Sequence, residues 1–197
     1  MMPDQNVNIG ERIKRLRIER AMSIAEVSKK SGISETTLAA IEGQTISPPL
    51  GHIISLANAL QVTVGELFED SADSPFCIVR SHDRKTVSRF SSADGKAGGY
   101  SYESLGHQKQ NRHMEPFLVT LAPAESTQVE ANQHVGEEIL FVLEGQVEVR
   151  LAGHTDILNP GDSIYYDSNL PHVVSCHGKD PATILAVIYA EKEMMIL

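Results

Sequence analysis

HVGEEILFVLEG, residues 134–145, puts a histidine, an acidic pair and a hydrophobic run side by side. Residues two apart in a strand share a face. Glu138, Leu140 and Val142 therefore point one way, and Ile139, Phe141 and Leu143 the other. Glu144-Gly145 is a turn signal and QVEVRL (146–151) follows, so the stretch reads as the first arm of a hairpin. His134, four residues before Glu138, reaches the same side if Val135-Gly136 bends the chain. A later run from Pro171 sends His172 and Val174 to one side. Two imidazoles and a carboxylate converging inside a barrel make a facial triad suited to Fe(II), and acceptable to Zn, Mn or Ni. A pocket that binds an organic ligand without metal, with His134 and His172 as hydrogen-bond donors, is the alternative. Glu138 weighs towards metal, because a buried carboxylate needs a charge partner, which a divalent ion supplies; a protonated His134 or His172 is the other source.

Working outward, FCIVR (76–80), FLVTL (117–121), SIYY (163–166), HVVSC (172–176) and TILAVIY (183–189) are short runs rich in β-branched and aromatic residues. Ala152-Gly153, Asn159-Pro160-Gly161-Asp162 and His177-Gly178 separate them with turns. Short strands at this spacing predict an antiparallel sandwich or barrel. SSADGKAGG (91–99) reads as a flexible loop, and EDSADSP (69–75) as an acidic linker.

Before that linker the period changes to helical. Asn8 caps a helix with apolar positions Ile9, Ile13 and Leu16. Ser23 and Glu26 form a capping box, as do Thr63 and Glu66. Ser34 opens a helix through Leu38 and Ile41 that ends at Gly43. Ser47 is expected as the next N-cap, with Pro48 at the first helical position. Five short helices result, two of them joined by the tight turn Ser31-Gly32-Ile33, a helix-turn-helix.

The chain has 197 residues and a net charge of −9, which argues against general affinity for nucleic acid. The charge is uneven. Residues 1–70 carry 7 Lys/Arg against 9 Asp/Glu, and five of those bases fall between Arg12 and Arg20. No run is long enough to span a bilayer, and MMPDQNVNIGERIKRLR puts charge where a signal peptide has its apolar region. Cys77 and Cys176 imply no disulfide framework. These features predict a cytoplasmic protein with no membrane partner.

IGERIKRLRIERAMSIAEVSKKSGISETTLAAIEG resembles the Cro/repressor-type (XRE family, lambda-repressor-like) helix-turn-helix domain, and the resemblance covers residues 8–68. It implies that the helix from Ser34 to Glu42 lies in a major groove. Ser34, Thr36 and Thr37 are then the candidate base contacts, with Glu35 and Ala40 beside them, Ser23 at the start of the preceding helix and Gln44 just past the end. Phosphate contacts are expected from Arg12, Arg15 and Arg17, helped by Lys29 and Lys30. The helix itself offers no Arg, Lys, Asn or Gln for bidentate base reading, so modest direct readout is expected. A helical domain kept for packing or dimerisation, with a solvated basic face, is the plainer alternative.

The second half resembles the cupin barrel, a double-stranded β-helix or jelly roll. The first cupin motif has two histidines separated by one residue, then a glutamate and a glycine. Here these positions hold Asn132, His134, Glu138 and Gly145. The second motif holds Pro160-Gly161 and His172. The resemblance implies a divalent metal (Fe, Zn, Mn or Ni) on His134, Glu138 and His172, with Asn132 replacing the fourth ligand. Tyr100, Tyr102, Arg112, Asn132 and Tyr166 are the candidate ligand-pocket residues. Tyrosines packed in a barrel wall and a solvated arginine are the bland reading of that set. Arg112 at the mouth would favour a carboxylate or phosphonate. His107, His113, His154 and His177 lack ligand spacing and are expected on the surface or in loops, His113 nearest the pocket mouth.

The expected architecture is therefore two domains: an all-α helix-turn-helix unit over 1–68 and, after a linker at 69–75, an all-β cupin over 76–197. Bacterial transcription regulators of this layout bind a double-stranded DNA operator through the first domain and a small-molecule effector in the barrel. A homodimer or homotetramer is implied, and no catalytic residues. The alternative is a mononuclear non-haem iron oxygenase. The chain is similar to hydroxypropylphosphonic acid epoxidases in length, domain order and triad, but Ala21 stands where their helical domain supplies a substrate-binding lysine.

Overall fold

The structure, a computed structural model, describes residues 8–68, 75–87, 100–109, 112–123 and 131–189. The expected loop at 91–99, and all of the expected linker except Pro75, lie outside the described residues.

Five helices form first: α1 (Ile9–Glu19), α2 (Ile24–Ser31), α3 (Glu35–Glu42), α4 (Leu50–Leu60) and α5 (Val64–Leu67). Their starts follow local chemistry. The Asn8 side chain accepts from the Glu11 amide, Ser34 accepts from Thr37, and both expected capping boxes are closed. Each such cap satisfies an amide that would otherwise be orphaned, which contributes about 1 kcal/mol. Gly32 ends α2 with φ of 74°, where a side chain would be strained. Ile13, Leu16, Val27, Leu38, Ile41, Ile53, Ala57 and Leu60 close the helical core.

Two helical features depart from expectation. α4 begins at Leu50 with Pro49 as its N-cap, two residues later than Ser47 would place it. A residue before proline is disfavoured in the α region, so Pro48 cannot open a helix that Pro49 must enter. Arg17, expected on phosphate, turns inward. It grips Glu42 with Nε at 2.6 Å and Nη2 at 2.7 Å, and donates Nη1 to the Met22 carbonyl at 2.9 Å. The ion pair is largely buried and ties α1 to α3.

Among the described residues nine antiparallel strands follow: β1 (Lys85–Val87), β2 (Tyr100–Ser104), β3 (Met114–Leu121), β4 (Glu137–Glu144), β5 (Gln146–Leu151), β6 (His154–Leu158), β7 (Ser163–Asp167), β8 (His172–His177) and β9 (Ala182–Tyr189). One sheet runs β1-β2-β3-β9-β4-β7 and the other β6-β5-β8. Alternation decides the inner faces: Leu140, Val142, Val147, Val149, Ile184, Ala186 and Ile188 are buried. FCIVR joins neither sheet, and Phe76 and Ile78 are exposed. An apolar run becomes a strand only where a neighbouring edge completes its hydrogen bonds. β6, which has no apolar alternation, is a strand because the Ala152-Gly153 turn folds it back on β5.

The helical half rests directly on the barrel. The Tyr102 hydroxyl donates to the Pro48 carbonyl at 2.9 Å in a fully buried bond. The rings of Phe68 and Phe117 meet at 6.1 Å, and Phe117 meets Tyr102 edge-on at 5.8 Å. Two glycines mark the closest approaches. A Cβ on Gly65 would stand 2.8 Å from the Arg112 guanidinium, and one on Gly51 would stand 3.1 Å from the His134 ring.

Candidate functional site

Backbone pairing builds the site. Asn132 and His172 exchange both amide–carbonyl bonds, at 2.8 and 2.9 Å, and so draw the segment before β4 onto β8. The His134 amide donates to the Ser168 carbonyl at 2.9 Å, and the Ser168 amide donates to Gly136 at 2.9 Å. This pair pins the bend that lets His134 share a side with Glu138, and Gly136 takes φ of 120° there. The ends of both sheets meet at this point.

His134, Glu138 and His172 converge as expected, all three buried, with their donor atoms within 4.8 Å of one another. Glu138 Oε2 lies 3.7 Å from His134 Nε2 and 3.8 Å from His172 Nε2. Ligands each ~2.1 Å from a common ion lie ~3–4 Å apart, so these separations fit a shared divalent cation. The His172 Nδ1 lies 2.8 Å from the Leu170 carbonyl, to which it donates, leaving the Nε2 lone pair directed at the site. Burial lowers the His172 pKa, against the Leu170 hydrogen bond and then the Glu138 charge, and so favours the neutral imidazole that ligation requires. Tyr166 donates to Glu138 Oε2 at 2.8 Å, and its ring lies 5.0 Å from that of His172. Burial first, then the Glu138 charge, raises the Tyr166 pKa and keeps its proton in that bond. Two nitrogens and one carboxylate oxygen, dry and convergent, suit a borderline divalent metal.

The other expected pocket residues divide. Asn132 stands beside the triad, held by its backbone bridge to His172. Tyr100 stacks at 6.2 Å on Tyr102. Tyr102 is fully buried and spends its hydroxyl on Pro48, so it anchors the helical domain. Arg112 sits under α5, pairing with Glu115 at 2.7 Å and donating to the Lys109 carbonyl at 2.6 Å. His107, expected on the surface or in a loop, lies in the turn after β2 but is buried at 2% exposure, with Nδ1 3.3 Å from the Ser104 carbonyl. His113 and His154 are exposed, and His177 is half-buried. Sequence spacing carried no sign of Pro48, Gly51, Gly65 or the Leu170 carbonyl, because each acts through a contact between segments far apart in the chain.

On the helical side, Ser34, Glu35, Thr36, Gln44 and Arg15 are exposed, and Thr37 is half-buried. The Ser34 and Thr37 hydroxyls lie 2.8 Å apart within the cap of α3. Ser23 is engaged in the cap of α2. Arg12 donates to the Glu66 carbonyl at 3.0 Å, across to α5.

Residues 12–73 match the sequence model of the Cro/C1-type HTH DNA-binding domain, and residues 117–188 match that of the cupin domain. The chain is a Cro/C1-type helix-turn-helix domain joined to a cupin. Among curated proteins, this helix-turn-helix cupin chain is similar to the HTH-type transcriptional regulator PuuR of Escherichia coli (strain K12), 24% identical over 88% of this chain and 90% of PuuR. It is also similar to the HTH-type transcriptional regulator SinR of Bacillus licheniformis, 25% identical over 54% of this chain and 97% of SinR. Among solved structures it resembles an HTH_3 family transcriptional regulator from Vibrio cholerae, with a TM-score of 0.64 at 20% identity over 94% of this chain and 96% of that one. The iron(II) form of HppE shares the fold with a TM-score of 0.51 at 22% identity, over 93% of this chain and 98% of that one.

Glu115 supplies a pH test of the contact between the two domains. Burial pushes its carboxyl up to about 7, against the opposing pull of Arg112. A carboxyl raised in the folded state favours folding while protonated, so this contribution is lost as pH rises from about 4.5 towards 7. Glu115→Gln is expected to flatten that part of the stability curve. Urea midpoints at pH 5 and pH 8 should differ less in the variant than in the wild type, and an unchanged difference would refute the assignment.

Proposed function

We propose that this protein is a sequence-specific DNA-binding transcriptional regulator whose cupin barrel binds a small-molecule effector together with a divalent metal. The observation that carries the reading is the display of α3. Its N-terminal turn, with Ser34, Glu35 and Thr36, faces solvent while Leu38 and Ile41 lock its other face into the helical core. That is the arrangement a recognition helix needs to enter a major groove. The likeness to PuuR, which spans both domains, supports it. Arg15, Lys29 and Lys30 are exposed and suited to phosphate, with Gln44 beside α3. Arg12 is half-buried and Arg17 is committed to Glu42, so phosphate binding rests mainly on the other bases. No described helix is long and apolar enough to cross a membrane, and an operator partner would be met in the cytoplasm.

His134, Glu138 and His172 would hold the ion, with Asn132 and Tyr166 beside it. When bound, the ion supplies a Lewis-acidic point of attachment for an oxygen atom of the effector. Tyr166 orients the Glu138 carboxylate, and the Leu170 carbonyl orients His172.

The outer face of the large sheet supports a homodimer. Ile139, Phe141 and Leu143 of β4 lie on it beside Tyr165 of β7 and Leu185, Val187 and Tyr189 of β9. Phe141 is 41% exposed, Leu143 42% and Tyr165 63%. Glu137, which accepts from the Tyr165 hydroxyl, and Asp167 edge this apolar area, which is of the kind that marks a protein–protein interface. Two DNA half-sites would then be read by a symmetric pair.

The triad also favours a second reading, a mononuclear iron oxygenase, since three ligands leave positions for substrate and oxygen. Glu138→Ala separates the two. In a regulator it should leave the DNA affinity of the metal-free form within about twofold, whereas in an oxygenase it abolishes turnover. The primary test is selection of bound genomic DNA fragments by the full-length protein at near-physiological salt. A palindromic site should emerge, weakened by Arg15→Ala and Thr36→Ala, with affinity falling steeply as salt rises. Failure of any site to enrich would overturn the regulator reading. Phe141→Lys, on the outer sheet face, should turn a dimer into a monomer in sedimentation. A dimer that persists in that variant would move the interface elsewhere.

A further inference from the structure

The two imidazoles of the triad are oriented by different means. His172 is held by its own half of the molecule, through Nδ1 to the Leu170 carbonyl. His134 has no such bond. Its Nδ1 is buried without a hydrogen-bond partner among the described residues, and its side chain is only 1% exposed. A metal-binding histidine ordinarily gives its second ring nitrogen to a carboxylate, a carbonyl or a water, which fixes the ring.

Packing replaces that bond. The Cδ2 edge of His134 faces Gly51, in the first turn of α4, so closely that a Cβ there would stand 3.1 Å from the ring. The same Cβ would stand 3.2 Å from Asn132 Cβ. The segments flanking α4 are held against the barrel at three points: Pro48 before it by the Tyr102 hydrogen bond, Gly65 of α5 over Arg112, and Phe68 after α5 against Phe117. The helical domain therefore does for His134 what a backbone carbonyl does for His172.

We propose that Gly51 is a positioning residue for His134, and that docking of the helix-turn-helix domain and metal binding at the triad are thermodynamically linked. An ion on Nε2 stops the ring from turning and completes the surface on which α4 sits. Undocking of α4 frees the ring to rotate towards a partner for Nδ1 and loosens the ion. Linkage of this kind is reciprocal, so whatever alters the metal site alters the placement of the DNA-reading domain within the same chain. The inference rests on the reading of the triad as a metal centre and is independent of DNA binding.

Co(II) titration of the full-length, metal-free protein tests it, with the visible ligand-field spectrum and a competing chelator as readouts. Hydrogen exchange of α4 and α5 is followed in parallel. Wild type should bind one equivalent, and loading should slow exchange in both helices. Gly51→Ala should weaken Co(II) binding tenfold to a hundredfold, shift the spectrum and lose the added protection. Tyr102→Phe, which frees Pro48 without touching a ligand, should act in the same direction, and it carries the test if Gly51→Ala does not fold. Folded variants with wild-type affinity and spectrum, or loading that leaves α4 exchange unchanged, would overturn the linkage while leaving the metal centre standing. A wild-type protein that binds no Co(II) would remove both.

Discussion

A carboxylate taken out of water must be given partners, and Glu138 is the point from which the rest of the barrel can be understood. It is buried at the junction of the two sheets, with two imidazoles and a phenol around it. An isolated buried carboxylate is costly enough to be driven neutral. Burying it requires donors or a cation at fixed positions. The Asn132–His172 bridge and the Ser168 clamp supply that fixity, since they bring the segment before β4 and the start of β8 to the same place. The convergence of the triad is thus a consequence of backbone pairing between segments about forty residues apart, not of the side chains seeking one another.

The same requirement explains why the helical domain lies where it does. The triad end of the barrel would otherwise expose apolar ring faces and an imidazole edge. Gly51 and Gly65 let backbone come close where a Cβ would crowd the His134 ring and the Arg112 guanidinium, and an aromatic chain runs from Phe68 through Phe117 to Tyr102. α4 is consequently buried around most of its circumference, with Ile53, Ile54, Leu56, Ala57, Ala59 and Leu60 all inside. It serves the helical core on one side and the barrel on the other. α4 is also the element against which α2, and through it α3, is packed.

Electrostatics divides the molecule in a complementary way. The cupin half carries most of the net charge of −9, and within the helical half the bases concentrate on the first two helices. Within that cluster the members have different fates. Arg17 is consumed by Glu42 and Arg12 reaches the Glu66 carbonyl, while Arg15, Lys29 and Lys30 remain at the surface. A run of basic residues therefore overstates the charge available to a phosphate, because a helix turns some of its members inward.

Much was legible from the chain alone where the determinant is local. The caps at Asn8, Ser23, Ser34 and Thr63 depend on residues three apart, and they stand where the sequence places them. The alternation in β4 assigns Glu138 to the inner face, and the spacing to His134 and the later His172 marks the three residues that converge there, because strand periodicity needs no tertiary information. Only the folded molecule decided the rest. FCIVR looks like a strand and finds no edge, HTDIL does not and is paired by its turn. Tyr102 and Arg112, polar residues that a pocket could use, are taken up by Pro48, Glu115 and Gly65. His107 is inside. In each case the deciding partner lies on another element, and a hydrogen bond or a steric limit across that distance leaves no period in the sequence.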